Sequence, residues 1–398
     1  MKKGWQIKKL GDVCDFDKIQ DIHRGLPYVG LEHIESHTAR FIGSSEAQSV
    51  KSSTFRFSVE HVLYGRLRPY LNKALVPDFE GHCSTEIFPL KPKSELSREY
   101  LLYWLLAEAT CDRINATCTG TRMPRAQMND VLKFNIPIPP FPEQQRIVRL
   151  LDEAFEGLAT AKANAEKNLQ NARALFESHL QSVFTQRDRG WVEKSVGELV
   201  ADGVLVKPFD GNHGEIHPKK SDYTESGVPF IMARDLKDGL VDTEHCILIS
   251  RKLADSLRVG FAKDGDVLIS HKGTIGRSAI VSTDEDYIML TPQVTGYRVK
   301  NSSKLFNRFI RYYFMSPGFQ REMIACAADG STRAYIGITK QLTLRFRFPP
   351  LAEQKRIAAK LDDLDPETQR LAYIYERKLA ALAELKKSLL HQAFTGEL

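Results

Sequence analysis

Apolar and small residues fall at 147, 151, 154, 158, 161 and 165, in alternating steps of four and three. That is the heptad spacing of a helix with one sticky seam. Ile357, Leu361, Leu364, Thr368, Leu371 and Tyr375 stand at the corresponding positions 210 residues further on. Equal length and register favour pairing of the two helical stretches with each other over folding back on their own surroundings. Both copies carry a flaw at nearly the same place: Gly157 in the first and Asp365-Pro366-Glu367 in the second. Asp-Pro-Glu suits an N-cap and the first two helical positions, so the pattern predicts that a short helix ends there and a longer one begins. From Leu158 to Phe184 the longer piece amounts to about 40 Å of helix at 1.5 Å per residue.

The same repetition runs through the whole chain. Pro139-Pro140-Phe141-Pro142-Glu143-Gln144-Gln145-Arg146-Ile147 opens the first helical stretch, and Pro349-Pro350-Leu351-Ala352-Glu353-Gln354-Lys355-Arg356-Ile357 opens the second. Gly4-Trp5 returns as Gly190-Trp191, 186 residues later, and Gly25-Leu26-Pro27-Tyr28-Val29 as Gly227-Val228-Pro229-Phe230-Ile231, 202 later. His61-Val62-Leu63 answers to Asp266-Val267-Leu268 at 205. Rising offsets mean one order of elements with small insertions in the second copy, mostly around Phe209 to Lys220. The chain is therefore a tandem duplication of a globular region followed by a helical region.

Within the globular halves, short apolar or alternating runs such as Tyr28-Val29-Gly30-Leu31 and Asp266-Val267-Leu268-Ile269 are separated by dense Gly, Pro, Asn and Asp. This reads as short strands joined by turns. Each half also predicts one aromatic-rich amphipathic helix: Arg98 to Leu106 behind a Ser97 N-cap, and Asn307 to Phe314. Their aromatic stripes read as core. Strand and helix do not alternate regularly, so the fold class is α+β, not a doubly wound sheet. The expected domains are 1–140 and 190–350, globular, with 141–189 and 351–398 helical.

Composition narrows the field. The 398 residues, 42% hydrophobic and 27% charged, are those of a soluble globular protein. No apolar run approaches the roughly 20 residues that span a bilayer, and Met1-Lys2-Lys3-Gly4-Trp5 lacks a signal-peptide core, so a cytoplasmic location is expected. Six scattered cysteines without a Cys-x-x-Cys pair point to packed, reduced thiols. A net charge of +6 leans towards a polyanionic partner.

No phosphate-binding loop, dinucleotide fingerprint, metal-ligand spacing or adenine-methyltransferase motif is present. Lys272-Gly273-Thr274-Ile275-Gly276-Arg277 is glycine-rich but reads as a tight turn. His82-Cys83 and His245-Cys246 lack further ligands at metal spacing. What is present suits DNA. Arg66, Arg68 and Lys73 lie with two tyrosines in Tyr64 to Lys73, and Arg122 and Arg125 lie in a second basic turn. Lys219, Lys220, Lys272, Arg277 and Arg333 occupy comparable places in the second half. Such side chains neutralise phosphates, and arginine also reads guanine edges. Two other readings stay open: a DNA-modifying enzyme with an unrecognised motif, and a coiled-coil scaffold that reads no sequence.

The layout resembles the specificity subunit of type I restriction-modification systems over the whole chain. The resemblance rests on Pro-Pro-x-x-Glu-Gln-x-x-Ile at Pro139 to Ile147 and Pro349 to Ile357, on Phe184-Thr185 and Phe394-Thr395-Gly396, and on Val62 to Lys73 and Gly265 to Leu268. The first helical region departs from the second after Phe184-Thr185, continuing Gln186-Arg187 where the second has Gly396-Glu397. The resemblance implies two target recognition domains, each reading one half of a split target in double-stranded DNA, held apart by an antiparallel coiled coil. It implies docking of two methyltransferase subunits on the helices, with restriction subunits alongside, and no catalysis in this chain. S-adenosylmethionine, ATP and Mg would then belong to partner subunits, with no cofactor or metal here.

Overall fold

The computed structural model describes residues 4–48, 50–120, 122–185, 190–213, 216–327 and 335–398. They divide into two compact units, one of residues 1–167 with 375–398, the other of 168–374. Each unit opens on a strand that pairs antiparallel with the last strand of its globular part. Gln6–Lys9 pairs with Asn135–Ile138, and Val192–Ser195 with Arg345–Phe348. This closure brings the start of each long helix back beside the start of its own domain. Gly11 and Gly197 continue the closure with the same backbone hydrogen bond, to the carbonyls of Leu132 and Leu342.

Between those strands each unit builds two small sheets. In the first unit the order is Cys14–Phe16, Ile87–Pro92, Val62–Gly65, Ala74–Leu75 in one sheet and Gln20–Asp21, Thr54–Phe57, Gly81–Cys83, Tyr28–Val29 in the other. The second unit has six- and five-stranded sheets, the extra strands including the hairpin Leu236–Lys237 and Leu240–Val241. One parallel pairing recurs: Tyr28–Val29 lies beside Gly81–Cys83, and Val228–Ile231 beside Ile288–Leu290. The repeated Gly-x-Pro-aromatic stretch is thus the same strand in both units. Strands, short helices and long helices mixed without regular alternation make the fold α+β, as the patterning predicts.

The aromatic helices are core. Ser97 Oγ accepts the Tyr100 N–H, capping Arg98–Leu106, and Tyr100, Leu101, Trp104 and Leu105 are buried. In Asn307–Met315, Phe309, Ile310, Tyr312 and Phe314 are buried likewise. All six cysteines are free thiols, and Cys14, Cys83 and Cys111 are buried.

The long helices differ from the expectation in one respect. Phe141–Thr185 and Leu351–Thr395 are each a single helix of 45 residues, running through Gly157 and through Pro366. Neither flaw ends a helix. A proline inside a helix removes one hydrogen bond and costs about 3 kcal/mol, but tertiary contacts hold the turn that leads into Pro366. Tyr312 donates to the Asp362 carboxylate at 2.8 Å, Arg308 pairs with the same group at 2.7 Å, and Arg311 reaches Asp365 at 3.2 Å. Thr368 Oγ1 donates back to the Leu364 and Asp365 carbonyls, at 3.1 and 2.9 Å.

The seam buries as predicted at Ile147, Leu151, Ala165, Ile357, Leu361 and Thr368. Leu371 does not follow: it is 39% exposed, and Ala372 is the half-buried neighbour. A straight helix drifts about 20° per heptad from a 3.5-residue repeat, which accounts for the slip. In the first unit Ile147 and Leu151 share a core with Leu390 and Ala393. In the second, Phe176 and Leu180 share one with Ile357 and Leu361. The start of one helix meets the end of the other in both units, so the pairing is antiparallel.

Candidate nucleic-acid interface

Two basic stretches that lie some fifty residues apart in the first half come together in space. Leaving the strand Val62–Gly65, the chain takes Arg68 and Asn72 through the left-handed region, with φ of 51° and 43°. Such angles strain a non-glycine residue and need support from the surroundings. The support is visible. Asn72 donates its side-chain amide to the Leu106 carbonyl, Cys111 Sγ donates to Pro69 O, and Lys73 Nζ donates to Leu31 O at 2.7 Å.

The second stretch runs alongside. Arg68 N donates to Pro124 O, Ala126 N donates to Arg66 O, and Leu67 and Thr119 both bridge to Arg125. The Arg125 guanidinium is spent on Glu86, at 2.8 to 3.1 Å. Arg66 lies half-buried, 5.3 Å from the Phe88 ring centre, with its Nε enclosed. Arg66, Lys73 and Arg125 thus hold the platform. Arg68 and Arg122 project from it with no side-chain partner among the described residues, flanked by Tyr70 and Met123, 49% and 46% exposed.

The second half repeats the arrangement. After the strand Val267–Ser270, Lys272 bridges to Tyr335, and Ile336 N donates to His271 O at 3.1 Å. This is the counterpart of Ala126 N to Arg66 O. Gly273 and Gly276 have φ of 79° and 92°. A Cβ on Gly276 would meet Gln320 Oε1 at 1.9 Å, and Gln320 Nε2 donates to Gly276 O. The glycine run is therefore a closed turn, held at its base by Ser270 and Arg277. Lys272 and Arg277 are exposed, the Lys272 ammonium 5.9 Å from the Tyr335 ring centre. Lys219 and Lys220 are exposed elsewhere, where a 3-10 turn enters the edge strand Tyr223–Thr224. Arg333 lies outside the described residues.

Sequence reasoning missed a polar network behind the second loop. His271 is buried and shares a 2.5 Å hydrogen bond with Thr295, which Gln341 also reaches at 2.8 Å. On its other side His271 Nε2 stands 3.9 Å from Asp210, whose carboxylate takes a 2.8 Å hydrogen bond from His213. Burial pushes the His271 imidazole down to about 4, with Asp210 opposing in part, so it is neutral at pH 7. The ring is tied by a hydrogen bond on one side only, to Thr295, while its Nε2 is buried without a hydrogen-bond partner. The members of the network come from separate stretches of the chain, so no local pattern in the sequence marks them. His82 in the first half is likewise buried, between Thr54 Oγ1 and the Gln48 carbonyl. Among the described residues no cluster of three or more His, Cys, Asp or Glu side chains could hold a metal ion. None of the described helices is long and apolar enough to cross a membrane.

Comparison with known proteins agrees with this duplicated layout. A family model described as the type I restriction modification DNA specificity domain matches residues 2–169 and again 203–375. The chain is 28% identical to the EcoDI specificity subunit of Escherichia coli over 44% of its own length and 40% of that protein's. To the MjaVIII specificity subunit of Methanocaldococcus jannaschii it is 22% identical, over 99% of this chain and 93% of the relative. Among solved structures, one described as showing the complex assembly and conformational transition of the type I R-M system superposes with a TM-score of 0.78 at 23% identity, covering 100% of this chain and 99% of that one. The HsdS subunit from Thermoanaerobacter tengcongensis superposes at 0.66, also 23% identical, covering 100% and 98%. With both halves matched separately and the same loop platform built twice, the chain belongs to the type I restriction modification DNA specificity family and carries two of its domains in tandem.

Proposed function

We propose that this chain is the non-catalytic, DNA-reading subunit of a type I restriction-modification complex. Residues 1–140 read one half of a bipartite target and residues 190–350 the other, while 141–189 and 351–398 serve as spacer and dock two methyltransferase subunits. Restriction subunits complete the assembly in the cytoplasm, and S-adenosylmethionine, ATP and Mg are held by the partners. The observation that carries the reading is the paired-loop platform, built with the same backbone hydrogen bond in both halves and presenting free cations in each. Leu175 and Leu385, at the same place in the two helical copies and 50% and 47% exposed, supply apolar surface for docking.

Exchanging residues 1–140 for the equivalent domain of another family member is expected to change one half of the methylated motif only. The motif is mapped by sequencing host DNA with detection of modified bases. A change in both halves, or none, would overturn the modular reading.

Within the first domain, the structure separates the cations that hold the platform from those that face outward. Arg68→Ala or Arg122→Ala is expected to lower the salt slope of DNA binding by about 0.9 for each phosphate the variant no longer neutralises. If the arginine reads a base edge, discrimination falls by about 1–3 kcal/mol. Lys73→Met is expected to leave the slope alone, since its ammonium is bound to Leu31 O. The reverse order of effects in a salt titration with motif-bearing duplex would reassign the contacts.

A further inference from the structure

The repeated Glu-Gln of the two helix openings has a structural use. Gln144 and Gln354 are fully buried. Gln144 Nε2 donates to Pro139 O at 3.0 Å and to Glu95 O at 2.8 Å, while its Oε1 accepts from Ser97 N at 2.8 Å. Gln354 repeats all three bonds: Pro349 O at 2.8 Å, Lys304 O at 2.9 Å and Phe306 N at 2.9 Å. Each amide therefore ties three pieces together at one point. These are the end of the domain's closing strand, the loop before the aromatic helix, and the N-cap N–H of that helix. In the second copy the N-cap residue Phe306 makes no side-chain cap bond, and its own N–H is satisfied by Gln354.

The neighbouring residues divide the labour. Glu143 and Glu353 pair with Arg146 and Arg356 one turn along their own helices, at 2.7 Å, and Arg146 also donates to the Leu398 carbonyl at 2.9 Å. The two prolines orient the clamp. A residue before proline is held extended, which aims the Pro139 and Pro349 carbonyls at the glutamine. Pro140 and Pro350 carbonyls accept the first helical N–H groups.

We infer that Gln144 and Gln354 are positioning residues that set the permitted spacing between the two half-sites, by fixing the angle at which each long helix leaves its domain. The inference rests on the bipartite reading proposed above. The lever is long: 45 residues make a helix of about 68 Å, so a tilt of about 3° at its base moves the far end by about 3.5 Å, close to the rise of one base pair. A buried amide with three hydrogen bonds resists such a tilt, whereas an apolar contact tolerates sliding.

The test expresses the full chain with its methyltransferase partner and sequences host DNA for modified bases. Gln144→Leu, and separately Gln354→Leu, is expected to keep both half-sites while raising at least tenfold the share of methylated sites whose spacer differs by one base pair. A purely structural role predicts less methylation at every site with the spacer unchanged, and that result overturns the inference. Should the leucine variants fail to accumulate as complex, Gln144→Asn and Gln354→Asn, which cannot reach all three partners at once, are read by the same two outcomes. If the wild-type complex yields no bipartite motif, the bipartite reading itself fails. If it yields one and all variants keep its spacer, only the clamp fails.

Discussion

Removing residues 375–398 is expected to unfold the first domain and leave the second folded, although the deletion lies at the far end of the chain from residue 1. That segment belongs to the first unit. Leu390 and Ala393 are buried in its core, and Leu389, Phe394 and Leu398 pack against it, Phe394 edge-on to Tyr100 at 5.2 Å. Lys386 Nζ donates to His37 O at 2.8 Å, and Lys387 pairs with Glu108 at 3.1 Å. Burying a large apolar side chain is worth about 1.5–3 kcal/mol. Leu389, Leu390 and Phe394 together therefore supply on the order of 5 kcal/mol, comparable with the whole stability of a marginal domain. Hydrogen exchange should show protection abolished at 98–116 and kept at 307–327. Deprotection confined to 307–327 would contradict the division into units.

Asp365→Ala is expected to cost about 3 kcal/mol, the lower end of what breaking a buried ion pair costs. Arg311 is buried, its guanidinium stacked 4.6 Å from the Tyr312 ring centre with Nε unpartnered. Asp365 is the carboxylate it reaches, at 3.2 Å, and Gln369 steadies the other oxygen at 2.9 Å. The turn at Gly239 packs closely on the guanidinium, since a Cβ there would stand 2.0 Å from Arg311 Nη2. With the carboxylate gone the cation loses its ion-pair partner, and the helix through Pro366 is left with less tertiary support. Chemical unfolding of the full chain reads the change in the second unit. A destabilisation below about 0.5 kcal/mol would place the pair with ordinary surface ion pairs.

Much of this protein is legible in one dimension, and what is legible is repetition and period. The 210-residue recurrence of Pro-Pro-x-x-Glu-Gln, the four-three spacing and the Ser97 cap determine two like domains, two like helices and an aromatic core helix in each. These are local or additive signals: a period of 3.6, a capping oxygen, and similar sequences adopting similar folds. The basic loops were also visible as charge. Which cation is available was not. Arg125 and Lys73 look as free in the sequence as Arg68 and Arg122, and only the fold places Glu86 and the Leu31 carbonyl against the first two.

The same division explains the error at Pro366. Asp-Pro-Glu is a helix start by local chemistry, and its three residues do specify that preference. The outcome depended on Tyr312, Arg308 and Arg311, which are some fifty positions away and hold Asp362 and Asp365 on the turn that leads into the proline. His271 shows it again, because it meets Thr295 and Asp210 from two other stretches, and Gln341, which also reaches Thr295, comes from a third. The sequence by itself determined the duplication, the fold class and the family. Tertiary structure alone decided the continuity of the helices, the unit to which residues 375–398 belong and the cations left facing outward. Each of these turns on contacts between residues distant in sequence, and no local preference encodes such contacts.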